Sequence, residues 1–162
     1  HYAPQNSTFP NGCHIAEVEV DPETGAVMLD RYSMAQDVGR TLNPMVVEGQ
    51  LAGGVAQGVG QALLERNHHD QASGQLLTGS FMDSALPRAH DLPFFETRIL
   101  EVRCTHNPTG VKSVGEAGPT AAPAAVVNAI VDALAPLGVT EIKMPATPET
   151  VFRAIQGVRF PS

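Results

Sequence analysis

Tryptophan is absent from this chain, and aromatic residues make up only 5% of it. Its core must therefore be aliphatic and finely fitted, and Ala and Val bury less area per residue than Leu and Phe. Such a core hints at a piece that leans on a partner. Basic residues are also scarce, and the formal net charge is −7. That balance argues against nucleic acid, because phosphate binding needs clustered Lys and Arg. No apolar run reaches the roughly eighteen residues of a membrane-span candidate, and no basic start leads into an apolar run as in a signal peptide. Two cysteines, Cys13 and Cys104, do not make a disulfide framework. A cytoplasmic setting is the default expectation.

Glycine and proline are plentiful instead, fifteen and thirteen of 162 residues, and they punctuate the chain often. The chain opens at His1 rather than Met, so a piece of a longer product is expected. Residues 1–12 read as an irregular arm. In "CHIAEVEVD", Ile15, Glu17 and Glu19 alternate with Ala16, Val18 and Val20, the period of a strand. "DPETGAV" reads as a tight turn, with Pro22 presetting φ and Gly25 permitting positive φ, and "VMLDRYSMAQDVG" as the return strand. "ETRILEVR" predicts a further strand, while "NHHDQASGQL" and "FMDSALPRAHDLPFF" read as irregular. "TAAPAAVVNAIVDAL" predicts a helix with Thr120 as its cap, and "TPETVFRAIQ" a short final helix with Thr147 capping and Pro148 first. Hairpins mixed with helices, without regular βαβ units, place the chain in the α+β class, as one domain over residues 1–162 or two small subdomains sharing a core.

"NPMVVEGQLAGGVAQGVGQALLER" reads as a helix despite its glycines, with Asn43 as cap and Pro44 in first position. Each glycine costs about 0.8–1.0 kcal/mol against Ala in a helix, so something must offset them. At about 100° per residue, Gln50, Gln57 and Gln61 fall in one stripe, with Gly53 and Gly54 on the same side. Amide side chains beside bare backbone make a wall for a flat, polar ligand, since each Gln both donates and accepts. The competing reading is close helix–helix packing through small residues, with the glutamines solvated. "GVGQ" lacks the Lys-Ser/Thr of a phosphate loop, and no strand leads into it.

One carboxylate has an unusual setting. In "VKSVGEAGPTAAPAAVV", Glu116 stands between Gly115 and Gly118, with Pro119 behind it. Glycines permit a turn that projects the acid past bare backbone. Val111, Val114 and Ala121 would desolvate it and raise its pKa, as a general base requires. The alternative is a capping or solvated acid, with Lys112 either pairing with it or reaching solvent.

Taken together, these segments resemble the molybdenum hydroxylases, the xanthine oxidase and aerobic carbon monoxide dehydrogenase family. "EGQLAGGVAQGVGQALLE" is similar to the stretch of the large subunit that lines molybdopterin, and "NPTGVKSVGEAGPTAAPAAVVNAIVDAL" to the stretch carrying the active-site glutamate. "FPNGCHIAEVEVDPETG" fits the bacterial large subunits, and the likeness runs over nearly the whole chain. The resemblance implies a molybdopterin cofactor, in its cytosine dinucleotide form, and hydroxylation of an aldehyde, N-heterocycle or carbon monoxide with water as oxygen source. It makes Glu116 the general base. It also places Gln57 near molybdenum, with Gln50, Gly53, Gly54 and Gln61 along the cofactor and Gly115 and Ala117 shaping the site. The rest of the large subunit is the implied partner, with 2Fe-2S and FAD on partner subunits or domains. Ser113 departs from the family, which commonly has Gly there.

The remaining polar residues carry less. His68, His69 and Asp70 lie together on a loop, where adjacent histidines usually diverge, so no metal ligand is assigned. His14, His90 and His106 are scattered singly, and His106-Asn107-Pro108 either lines the pocket or is structural. Cys104 reads as a small buried hydrophobe. The rival to catalysis is a non-catalytic assembly domain, since an Ala/Val core and a stripped glycine helix suit an interface as well as a ligand.

Overall fold

The computed structural model describes Ala3 and residues 6–159. Strand β1, Asn11–Val20, and strand β2, Val27–Asp37, form an antiparallel hairpin. Gly25 in its turn has φ 74°, as expected. The Asp21 side chain closes this turn, accepting from the Glu23 amide at 2.9 Å and the Thr24 hydroxyl at 2.6 Å. Ala16, Val18 and Val20 pack against the core, while Ile15 is exposed. The arm is shorter than expected, because Asn11 and Gly12 already belong to β1; His1, Tyr2, Pro4 and Gln5 lie outside the described residues.

Strand β3, Phe95–Leu100, lies parallel to β2, so the sheet order is β1-β2-β3. The expected strand over 96–103 ends early for a specific reason. β2 stops at Asp37, and the Asp37 carboxylate, rather than a strand carbonyl, takes the Val102 amide at 3.1 Å.

Helix α1, Pro44–Leu63, starts as the sequence predicts: Asn43 Oδ1 accepts from the Val46 amide at 3.3 Å and Pro44 holds the first position. Helix α2, Ala117–Leu134, begins three residues before the predicted start. Its N-cap is Glu116, not Thr120, whose hydroxyl instead donates to the Glu116 carbonyl at 2.6 Å. Pro119 permits the early start, since a first-turn residue needs no amide hydrogen. Helix α3, Pro148–Arg159, opens with Thr147 Oγ1 accepting from the Thr150 amide at 3.3 Å, as predicted.

The helices cover one face of the sheet, with α2 packed on β1 and on α1. By length and composition α2 and the turn after it, Ala117–Leu137, reach mean hydropathy 1.5, enough for a membrane span. Its pattern is nevertheless that of a core helix. Ala122, Val126, Ile130 and Leu134 recur every fourth residue at 0–2% exposure, while Thr120, Asn128 and Asp132 face outward. Facing them are Leu51, Val55 and Val59 of α1 and Tyr32 and Met34 of β2, all buried. The molecule is a two-layer α+β unit.

The glycines of α1 divide into two kinds. A Cβ on Gly54 would lie 2.5 Å from Pro119 Cδ, and one on Gly58 2.6 Å from Ala122 Cβ. A Cβ on Gly118 would lie 2.7 Å from the Leu51 carbonyl oxygen and 2.8 Å from the Gly54 backbone. These residues let two helices touch backbone to backbone, so for Gly54 the close-packing reading holds. Gly53 is different. A Cβ there meets nothing within 4 Å.

A buried ion pair ties the strand ends to the loop before α2. The Lys112 ammonium binds Asp37, with the two side chains only 12% and 6% exposed. Lys112 thus neither pairs with Glu116 nor reaches solvent. Asp37 Oδ1 also accepts from the Gly39 amide at 2.9 Å. Burial alone would raise the Asp37 carboxyl. The Lys112 hydrogen bond and the Gly39 and Val102 amides outweigh it and hold the group below its usual range.

Gly54→Ala should lower stability by about 1–3 kcal/mol through overpacking. Gly53→Ala, in open space, should raise it by about 0.5–1 kcal/mol; urea unfolding of both variants checks the contrast. Asp37→Asn or Lys112→Met should each cost about 3–5 kcal/mol by leaving a buried charge unpaired. Because the Asp37 pKa is depressed on folding, its contribution is present above the unfolded value near ~4 and is lost as pH falls through the folded one. Urea midpoints of the wild type should fall more steeply below about pH 4 than those of Asp37→Asn.

Candidate functional site

The segment that delivers Glu116 is built from short-range hydrogen bonds. Asn107 Oδ1 accepts from the Thr109 hydroxyl and the Gly110 amide, both at 2.7 Å, and its Nδ2 donates to the Val111 carbonyl at 2.9 Å. Asn107 is therefore a turn builder. The Gly110 carbonyl then accepts from Arg40 at 2.8 Å and Cys104 at 3.0 Å, and the Lys112 amide donates to Val38 at 2.9 Å. Four residues further on stands Glu116. The Thr8 hydroxyl accepts from the Ser113 amide at 3.2 Å, tying the N-terminal arm to this loop.

Glu116 borders a cleft of about 410 Å³ together with Ala117, Thr120 and Ala121 of α2. Its carboxylate meets no donor among the described residues, and the residue is exposed. The dry surround expected from Val111, Val114 and Ala121 is thus not closed by this chain: Ala121 lines the cleft, but Val114 packs against the core instead. Gly115 beside it is open, with nothing within 4 Å of a Cβ, and Ala117 is buried at 8% exposure.

The opposite wall comes from the hairpin and contains residues that the sequence reading did not single out as a group. His14 and Gln36 both line this cleft. His14 Nδ1 lies 2.8 Å from the Tyr32 hydroxyl and Nε2 lies 3.3 Å from Gln36 Oε1. Tyr32 is fully buried, and its hydroxyl hydrogen needs an acceptor. Nδ1 is that acceptor, so Nε2 carries the proton and donates to Gln36. Burial pushes the His14 pKa down, against an upward pull from Gln36, which suits the neutral ring. Burial likewise pushes the Tyr32 phenol up.

The hairpin register explains the grouping. His14 pairs with Met34, which places Tyr32 and Gln36 on the diagonals of the same face. Gly12 pairs with Gln36, and a Cβ on Gly12 would fall 2.1 Å from Gln36 Oε1. Glycine there lets the Gln36 side chain lie across β1.

The glutamines form a second surface. Gln50, Gly53, Gln57 and Gln61 are all exposed on α1, while Gly54 is buried beneath α2 and leaves the predicted stripe. None of the three glutamines lines the Glu116 cleft. No hydrogen-bond partner occupies their side chains among the described residues. The stripe spans about 16 Å at 1.5 Å per residue. An open row of unpaired amides with bare backbone at Gly53 fits an extended polar ligand such as a pterin cofactor.

Other candidates are put to structural use. Asp70 Oδ1 accepts from the Ser73 amide at 2.8 Å and hydroxyl at 2.6 Å, closing a turn in which His69 bridges to Leu76. Cys13 is exposed and Cys104 half-buried, both as free thiols, and the Cys104 sulfur accepts from the His106 amide at 3.4 Å. A larger hollow, about 670 Å³, lies beside Phe81–Arg88. Its carboxylates Asp83 and Asp91 already hold the Ser80 hydroxyl at 2.6 Å and the Arg88 amide at 2.8 Å. The smaller cleft keeps its acid free, so chemistry, not volume, selects it.

Comparison with known proteins places this arrangement. Residues 1–93 match the model of the molybdopterin cofactor-binding domain. The large subunit of nicotine 6-hydroxylase from Paenarthrobacter nicotinovorans is 45% identical over 150 residues, covering 93% of this chain and 18% of that subunit. Quinoline 2-oxidoreductase from Pseudomonas putida 86 superposes with TM-score 0.87 at 45% identity, over 91% of this chain and 19% of that one. Carbon monoxide dehydrogenase from Oligotropha carboxidovorans gives TM-score 0.93 at 32% identity, over 98% of this chain and 20% of that one. The chain therefore spans about a fifth of the length of the relatives it matches. With its α+β fold and matched segment, the chain belongs to the molybdopterin cofactor-binding domain family, found in the large subunits of molybdenum hydroxylases.

Proposed function

We propose that this chain is the C-terminal cofactor-binding portion of a molybdenum hydroxylase large subunit, and that Glu116 is its general base. The observation that carries this reading is the Glu116 carboxylate, held at the head of α2 on a cleft and bonded to no donor among the described residues. When bound, the cofactor would accept the two electrons that the substrate gives up and would provide the site from which water-derived oxygen is transferred. Glu116 takes the proton that must leave as the new carbon–oxygen bond forms, and its base must sit within about 2.6–3.2 Å of that proton's oxygen. Gln50, Gln57 and Gln61 donate to and accept from the pterin and its cytosine dinucleotide extension, and Gly53 lets the ligand approach the helix backbone. Gly115 leaves the approach to Glu116 clear, and buried Ala117 fixes where it stands. Gly54 serves the helix seam and not the ligand.

Relatives at 45% identity act on nicotine and quinoline by name, and we assign the substrate to the same class, an aromatic N-heterocycle. The remaining large subunit encloses Glu116 and completes the site, while 2Fe-2S and FAD on partner subunits or domains carry electrons away in the cytoplasm. Phe81, Met82 and Phe94, each at least 87% exposed, suit docking onto those partners. That exposure also favours the assembly-domain reading, and turnover separates the two.

In the assembled enzyme, Glu116→Gln should keep full molybdenum and pterin content yet lose at least about a hundredfold in kcat. Wild-type turnover in that variant would leave only the assembly role. Gln57→Met or Gly53→Ala should instead lower pterin content while the fold stays intact, measured as metal and pterin per polypeptide.

A further inference from the structure

Gln36 is a polar residue at 3% exposure inside a strand, yet its amide nitrogen is not among the fully buried unpaired atoms and so keeps some open surface. Its Oε1 is taken by His14. Its Nε2, with two hydrogens, meets no acceptor among the described residues, although the residue lines the Glu116 cleft. This orientation is imposed. The buried Tyr32 hydroxyl fixes the His14 tautomer, and the protonated Nε2 of His14 then holds the oxygen end of the amide. Gly12 provides the space in which the side chain lies. Three residues thus aim one donor and leave it unused.

The same cleft carries an unused acceptor, the Glu116 carboxylate. Donor and acceptor do not bond to each other, and the cleft of about 410 Å³ is within the usual range for small-molecule sites. Phe9, Pro10 and Ala121 supply apolar lining and no neutralising charge. A ligand suited to this cleft carries an acceptor atom to meet the amide.

We propose that Gln36 is a substrate-binding residue, its side-chain amide donating to a ring nitrogen or carbonyl oxygen of a substrate held in the Glu116 cleft. His14, Tyr32 and Gly12 are positioning residues for that amide. The inference rests on the cleft being the substrate side of the site, as in the function proposed above. A pocket with a dedicated donor discriminates strongly against an analogue that lacks the acceptor.

The test uses the assembled enzyme, reduced beforehand with dithionite so that binding is not followed by oxidation. Equilibrium dialysis measures the dissociation constants of quinoline and of naphthalene, which has the same shape without the ring nitrogen. Wild type should bind quinoline about tenfold or more tightly than naphthalene. Gln36→Met should weaken quinoline about tenfold and leave naphthalene within about twofold. Gln36→Glu, which keeps an acceptor for His14 but removes the donor, should show the same selective loss, and it stands in should Gln36→Met fail to fold. Unchanged quinoline binding in the folded variants, equal weakening of both probes, or a wild type that does not distinguish them would overturn the proposal. Binding to reduced enzyme requires no proton transfer. A failed Glu116 assignment would therefore show in turnover of Glu116→Gln and leave this measurement intact.

Discussion

The backbone-to-backbone contact of α1 with α2 is the constraint from which the rest of the structure follows. Gly54 and Gly118 meet so closely that a Cβ on either would fall within 2.8 Å of the other helix. That approach sets the helix-to-helix distance, lets Ala122 and Val126 meet Val55 and Val59, and fixes where the N-terminus of α2 lies. Glu116 occupies the N-cap position there, with no capping bond from its side chain. The acid is positioned by packing beneath it and not by bonds to its own side chain, which stays free to act. A chain with almost no aromatic residues gains from this arrangement, because small residues fill an interior tightly only when the backbones approach.

The Asp37–Lys112 pair extends the constraint to the loop. A buried ion pair is weak evidence for stability as such, since desolvation opposes the attraction. Its geometry here has a clearer consequence. Asp37 terminates β2, takes the amide of Val102 as β3 ends, and holds Lys112 four residues before Glu116. Both the strand ends and the Glu116 loop are thereby referred to one carboxylate. The lysine that stood as a candidate partner for Glu116 is thereby removed from it.

What the sequence made legible was local. Asn43-Pro44 and Thr147-Pro148 declare their helices because cap and first position are adjacent, and the β1–β2 turn declares itself through Pro22 and Gly25. The start of α2 was misread because Thr120 resembles a cap, whereas Gly118 and Pro119 are admitted within the first turn. Gly53 and Gly54 looked alike in sequence, and only the α2 contact tells them apart. Asp37–Lys112 spans 75 positions, beyond any periodic pattern. His14, Tyr32 and Gln36 were concealed by one residue. Counting back from Val20↔Val27 puts Ser33 opposite His14, but the irregularity at Glu17/Val18 passes over Asp30 and brings Met34 there. A one-residue shift exchanges the faces of a strand, so the polar trio becomes visible only when the bulge is known.

The two open surfaces bear on each other through the seam. Gly54 and Gly118 join the helices between the exposed amide stripe of α1 and the Glu116 cleft at the head of α2. The proposed cofactor and substrate positions are thus both referred to one packed contact. Relative placement is what proton abstraction requires, since an acid displaced by an ångström no longer reaches its proton. Rigidity at the seam and openness on both flanks are complementary properties. The glycines that permit contact are buried, and at those that would permit ligand approach, Gly53 and Gly115, a Cβ would meet nothing within 4 Å among the described residues. Helix propensity disfavours Gly53 and no contact among the described residues compensates it, a cost that the proposed cofactor contact would account for.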